Sequence, residues 1–192
     1  MSDAVGDYEK VSVYPLEDED REALLVRHAE CTFIWSTQDG YPLGVIMSYL
    51  WRDGRFWLTA GSHRHRISAV RRDPRVSIVV TSTGTELRSG KSITAKGHCI
   101  IHDDDETRAW FYPEFSQHLH KDEKMAKWFE AFLDSPLRVI LEVIPEKWIT
   151  YDGSKMALDS VGKLPPEQKG QPLESDTVRL KRELKRRGLS QG

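Results

Sequence analysis

Chemistry-bearing side chains are densest at residues 56–75. The strand-forming run Phe56-Trp57-Leu58-Thr59-Ala60 meets Gly61-Ser62-His63-Arg64-His65-Arg66, and Arg71, Arg72 and Arg75 follow around Asp73-Pro74. A small residue, a hydroxyl and several cationic groups at a helix start suit a phosphate. The first amides of a helix are unpaired, its dipole is positive at that end, and arginine adds a bidentate fork. Ser62, Arg64, His65 and Arg66 are the residues this reading selects. The same arginines would also suit the solvated face of an amphipathic helix, and the turn alone leaves both readings open.

Other motifs in the chain fail on spacing or context. Gly84 to Ser92 ends like a phosphate-binding Walker loop, but it has one residue too many between its glycines and joins two strands. No G-x-G-x-x-G follows a strand, which removes the usual dinucleotide site, and no G-x-S-x-G elbow supports serine catalysis. His63 and His65, His98 and His102, and His118 and His120 are paired in sequence. They lack a C-x-x-C pair, an H-E-x-x-H helix or a third ligand at useful spacing, so no metal is expected.

The phosphate turn needs a scaffold, and the pattern around it is mostly strand. Strands are expected at residues 31–37, 43–51, 55–60, 75–82, 91–102 and 137–151, from β-branched and aromatic runs bounded by turn residues. Asp39-Gly40 and Asp53-Gly54 sit between apolar runs as hairpin turns, and residues 83–90 read as a longer hairpin loop. Helices are expected at residues 17–29, 63–72, from Asp103 onward, at 121–133 and at 174–188. Six strands with few helices between them predict a mainly β fold, a β-barrel with helical additions. Residues 1–16 read as an N-terminal arm, 17–157 as the barrel domain, and 158–192 as a linker and basic C-terminal helix.

Composition narrows the function classes. The chain has 192 residues, 39% hydrophobic and 30% charged, with a formal net charge of −2, so neither nucleic acid nor membrane is an expected partner. No apolar run approaches a membrane span, and the N-terminus lacks a secretory h-region. Cys31 and Cys99 lie in apolar strand-like runs and read as free thiols in a reducing cytoplasm. The six tryptophans, Trp148 among them, suit a core or an interface. Between Arg179 and Arg187 six basic residues accompany one acid, the pattern of a solvated helix packing on a partner.

Five segments in order carry a family resemblance: Asp39-Gly40-x-Pro42; Trp51-x-Asp53-Gly54-x-Phe56-Trp57-Leu58-Thr59; Arg66 through Asp73-Pro74-Arg75-Val76-Ser77; Lys96-Gly97; and Trp148 through Asp152-Gly153. Over roughly residues 20–157 the chain resembles the pyridoxamine 5′-phosphate oxidase-like family of flavin-binding split barrels. The resemblance implies a six-stranded antiparallel split barrel, a homodimer, and an FMN site at its interface. It implies that Val45, Ile46, Met47 and Ser48 line the isoalloxazine, that Leu58 and Thr59 end the adjoining strand beside it, and that Ser62, His65 and Arg66 hold the phosphate. Trp148, or an aromatic such as Tyr49 or Trp110, would wall the substrate space over the ring. The implied function is an FMN-dependent oxidoreductase moving hydride through the flavin N5. Two alternatives stand beside it: an F420-dependent reductase on the same fold, with Arg64, Arg66 and Lys91 taking the acidic tail, and a non-catalytic flavin-binding or sensing module. The chain departs from the family where it has Arg66 for a frequent lysine and His65 for a frequent arginine. The terminal substrate-binding segment of true pyridoxamine phosphate oxidases is not recognisable.

Overall fold

In a computed structural model, residues 4–5, 11–86 and 90–191 are described. Part of the expected N-terminal arm and the tip of the 83–90 loop lie outside them. Among the described residues, fifteen strands and α-helices follow one another in this order: β1 (Ala4–Val5), α1 (Asp18–Arg27), β2 (Glu30–Ser36), β3 (Pro42–Ser48), β4 (Leu50–Arg52), β5 (Arg55–Gly61), α2 (His65–Arg72), β6 (Arg75–Thr81), β7 (Lys91–His102), α3 (Asp105–Leu119), α4 (Glu123–Leu133), β8 (Arg138–Asp152), α5 (Gly153–Ser160), α6 (Glu174–Arg187) and β9 (Ser190–Gln191). The chain divides into two units, residues 22–80 with 93–148, and residues 1–21 with 81–92 and 149–192.

The larger unit is built on a seven-stranded antiparallel sheet in the order β3-β2-β6-β7-β8-β5-β4. Along β2, β5 and β6 every second residue is buried, the period expected when one face covers a core. Phe33, Phe56, Leu58 and Ile78 point into that core and are fully buried. The outer edge strands are β3 and β4, which are consecutive in the chain with only Tyr49 between them. Two opposite edges can be joined by one residue only if the sheet curls until they nearly meet, so the sheet is a split barrel.

Seven strands appear where six were expected, because the 43–51 run breaks at Tyr49. Its amide donates to Ala29 O at 2.9 Å as the last rung toward β2. Leu50 then pairs with Trp57 on β5. Between β4 and β5 the two-residue turn Asp53-Gly54 has φ of 52° and 73°, the left-handed pair that a tight hairpin needs. Gly97 on β7 has no room for a side chain, since a Cβ there would lie 2.0 Å from Ile144 O.

Helices α3 and α4 cover the outside of β5 and β8. Phe111, Tyr112, Phe115 and Leu133 bury with Leu50 and Ile140, and Trp57, Trp110 and Phe129 pack against them. Asp104 and Asp122 accept the Thr107 and Met125 amides, so each helix begins at a carboxylate cap. The acidic run expected to start a helix therefore does so.

The smaller unit is organised around residues 13–17. Tyr14 is fully buried, with its hydroxyl donating to Asp159 at 2.6 Å. The ammonium of Lys155 reaches Glu17 Oε1 at 2.5 Å and Pro15 O at 2.9 Å. Helix α5, absent from the sequence expectations, carries Lys155 and starts on the Asp152 cap. Strands β1 and β9 pair in parallel.

Candidate functional site

The phosphate reading selects the turn from β5 into α2, and its backbone is held from both sides. The Ser62 amide donates to Leu137 O at 2.7 Å, and the Arg64 amide closes a turn on Gly61 O at 2.9 Å. The His63 ring folds back over Gly61, with Cε1 2.8 Å from where a Cβ would sit, so a side chain at Gly61 would displace that exposed ring. Arg64 occupies the N-cap of α2 in extended conformation and makes no side-chain cap. Among the described residues no protein acceptor is found for the His65 and Arg66 amides. These are the donors that a helix start leaves open for an anion.

Arg66 is the informative side chain. It is half-buried, and its Nε has no hydrogen-bond partner. Burial first, and then the neighbouring Arg64 charge, lower its pKa from the ordinary guanidinium value. A desolvated cation with an open N–H, next to a second cation and two open amides, favours an anionic guest. His63, Arg64 and His65 are exposed around it.

The β2–β3 hairpin stands beside α2. The Arg72 guanidinium donates to Ser36 O at 2.7 Å, which ties the end of β2 to the last turn of α2. After the helix, Asp73 takes two hydrogen bonds from the Arg75 guanidinium at 2.9 and 2.7 Å, and this holds its carboxyl at about 2. Arg72 and Arg75 are thus engaged in structure. Arg71 lies in the last turn of α2, away from the helix start, where Arg64 and Arg66 remain to meet a ligand.

The other selected residues divide by strand alternation. On β3, Val45 faces Phe33 and Met47 faces Cys31, while Ile46 pairs with Thr32 and Ser48 with Glu30. Met47 is buried and Ile46 is 66% exposed, so the 45–48 segment offers a ring its backbone edge and alternate side chains. Leu58 is fully buried in the barrel, and the Thr59 hydroxyl donates to Val139 O at 3.0 Å. Trp148 stacks edge-on with Trp51 at 6.0 Å and lies 6.2 Å from Phe56. Phe56 and Gly61 are five residues apart on β5, about 17 Å at strand rise, so Trp148 and the basic turn at residues 62–66 mark opposite ends of that strand. Lys91 belongs to the smaller unit, where its ammonium lies 2.9 Å from Asp20 and 3.4 Å from Asp152. A groove of ≈ 490 Å³ opens at the C-terminal end of α2, lined by Ser36, Pro42, Asp73, Lys96 and Trp35, whose indole N–H has no partner.

Sequence reading missed two features of this unit. One is the Arg72 bond to Ser36 O, which needs the hairpin and the helix to be juxtaposed. The other is Glu142, buried and bonded to Arg55 and His102. Its signal was present, as the single acid in the apolar run 139–144. His98 bonds Glu146 at 2.8 Å. Among the described residues no three His, Cys, Asp or Glu side chains are grouped to hold a metal ion, and no helix is long and apolar enough to cross a membrane.

Together these features define a class: a split antiparallel barrel with a basic strand-to-helix turn. The family model described as pyridoxamine 5′-phosphate oxidase matches residues 17–152, and the chain belongs to that family. Among solved structures, a conserved hypothetical protein from Mycobacterium tuberculosis is similar with a TM-score of 0.66 at 17% identity, covering 77% of this chain and 91% of its own. A protein from Mesorhizobium loti described as FAD-binding is similar with a TM-score of 0.54 at 20% identity, covering 71% of this chain and 93% of its own. One described as F420 reductase has a TM-score of 0.50 at 19% identity, covering 67% and 94%. At these identities the likeness is one of fold. No curated protein matches this sequence.

Proposed function

We propose that this protein is an FMN-binding oxidoreductase that acts as a homodimer. The observation that carries the reading is Arg66, half-buried at the start of α2 with an unpartnered Nε beside two open amides. That donor set fits the phosphate of FMN. Ser62, Arg64, His65 and Arg66 would hold it, and the 45–48 backbone would lie along the ring. When bound, the flavin supplies hydride transfer at its N5. The chain's own part is to hold the phosphate and orient the ring against β3. Lys91, already held by two carboxylates, is not needed for this role.

The outer face of the sheet supports the homodimer. Ile46, Thr32 and Val79 form one cross-strand row, and Gly44, Ile34 and Ser77 the next. Neither row contains a charge, and Ile46 stands exposed at the edge strand. An uncharged, partly apolar sheet face next to an unpaired edge favours a second copy.

A second reading, F420 in place of FMN, is favoured by the number of cations. Arg64 and Arg66 are two guanidiniums with imidazoles at positions 63 and 65 beside them, more than one phosphate monoester requires, and F420 carries further anionic groups. The deciding experiment is an absorbance scan of freshly purified protein followed by FMN and F420 titrations, with size-exclusion light scattering for the dimer. Flavin bands or saturable FMN uptake near one per subunit support the lead. F420 uptake alone transfers the site to the deazaflavin, and indifference to both removes the phosphate reading.

A further inference from the structure

The two edges of the split barrel meet at Tyr49, and this residue is clamped. Tyr49 is fully buried. Its amide donates to Ala29 O at 2.9 Å, and its hydroxyl donates to Leu25 O, also at 2.9 Å. Leu25 lies in the last turn of α1, where the final carbonyls of a helix have no partner within it. The Leu24 carbonyl is taken by the His28 amide, and the Leu25 carbonyl is taken by the Tyr49 hydroxyl. The ring is fixed edge-on against Phe56 at 5.3 Å. Two residues on, the Trp51 indole donates to Glu22 on the same helix at 2.7 Å. Helix α1 therefore grips the chain on both sides of the point where it leaves β2 for β5.

We propose that Tyr49 is a positioning residue for the cofactor strand: its hydroxyl, capping α1, fixes where β3 ends and so sets the line of the 45–48 backbone. This rests on the reading of that segment as the ring-lining strand. Strand β3 is a sheet edge with a hydrogen-bonded neighbour on one side only. Its seven-residue ladder to β2 holds it from that side alone, and its end is where fraying begins. Ser48 is half-buried and adjacent to the clamp, so movement at Tyr49 passes directly into the segment. The Tyr49 hydroxyl is spent on Leu25 O inside the protein. Tyr49 acts through the strand that precedes it.

The test is Tyr49→Phe in the full chain, which keeps the ring on Phe56 and removes only the hydroxyl. Tyr112→Phe is the control, since the Tyr112 hydroxyl is buried without a partner. Amide hydrogen exchange without cofactor should quicken at residues 45–48 in Tyr49→Phe and stay unchanged in Tyr112→Phe. FMN should bind about three- to tenfold more weakly, the range of one lost hydrogen bond, with a displaced visible band. Exchange that rises evenly through the barrel, or an unchanged pattern and affinity, overturns the proposal. If the parent protein takes up neither FMN nor F420, the cofactor reading fails, while the exchange comparison still decides whether Tyr49 holds β3.

Discussion

Nε2 of His102 lies 2.7 Å from Oε2 of Glu142, and the Glu142 carboxylate is only 3% exposed. Its other oxygen accepts from the Arg55 guanidinium, and His102 Nδ1 is 3.6 Å from Asp104. The Trp57 ring covers the imidazole at 5.6 Å. A carboxylate this deep is tolerated because two donors compensate it.

Removing one donor should therefore hurt more than neutralising the acid. Arg55→Ala leaves an under-compensated buried carboxylate and should lower stability by about 2 kcal/mol, below the range for a fully buried pair because Arg55 is partly solvated. Glu142→Gln keeps an acceptor without the charge and should cost less. Urea unfolding of both variants checks the order, and a larger loss in Glu142→Gln would refute it.

At the phosphate turn, Arg66→Ala should weaken FMN binding by about 2–3 kcal/mol, the worth of a charge-assisted contact. Arg66→Lys should recover part of that, keeping the charge but not the planar fork. Titration by fluorescence quenching reads both. Equal affinity across the three proteins would mean that the phosphate lies elsewhere.

Acid should act on this protein in two steps. Burial lowers the His118 pKa from 6.5 against a hydrogen bond with the His28 backbone that raises it. The unfolded chain then takes up that proton first, so stability starts to fall as pH drops below 6.5. The Arg75 hydrogen bonds hold Asp73 at about 2 against an ordinary 3.8. Its contribution is complete above 3.8 and is lost as pH falls to about 2. Thermal melts across pH should lose the first step in His118→Gln and show a smaller second step in Asp73→Asn, because the lowered Asp39, Asp104, Asp152 and Glu183 titrate in that range too.

Both cysteines should be silent in the folded protein. Burial, then the Glu142 charge, pushes the Cys99 thiol up to about 12, and burial with Glu30 raises Cys31. A thiol-specific reagent at pH 8 should label neither under native conditions and both in denaturant. Rapid native labelling would show that the barrel opens locally at β2 or β7.

Much of this fold was legible because its turns are written in a few residues. Asp53-Gly54 and Asp39-Gly40 announce hairpins, Asp73-Pro74 ends a helix, and alternation assigns β2, β5 and β6. The break at Tyr49 was not legible, since tyrosine is a good strand residue and only the helix carbonyl it reaches reveals the bend. Helix α5 was missed because Asp152-Gly153 reads as a turn until the Asp152 side chain is seen capping Ser154. For the site, the basic cluster pointed to a phosphate turn. Separating Arg66 from Arg72 and Arg75 required knowing which arginines already have protein partners.

The single-residue join between β3 and β4 also bears on how the barrel comes together. Closing the sheet across Tyr49 orders almost no intervening chain, so that step carries little entropic penalty. The demanding step is elsewhere: Phe56 must find Val143, and Leu58 must find Leu141, with α2, β6, β7, α3 and α4 lying between them in the chain. Pairings of that span are slow to form. Leu141→Ala should therefore slow refolding in stopped-flow measurements, whereas Gly40→Ala, in a turn with φ of 84°, should mainly speed unfolding. The barrel's seam is thus its easiest junction to make, and the β5–β8 pairing sets the pace of the whole.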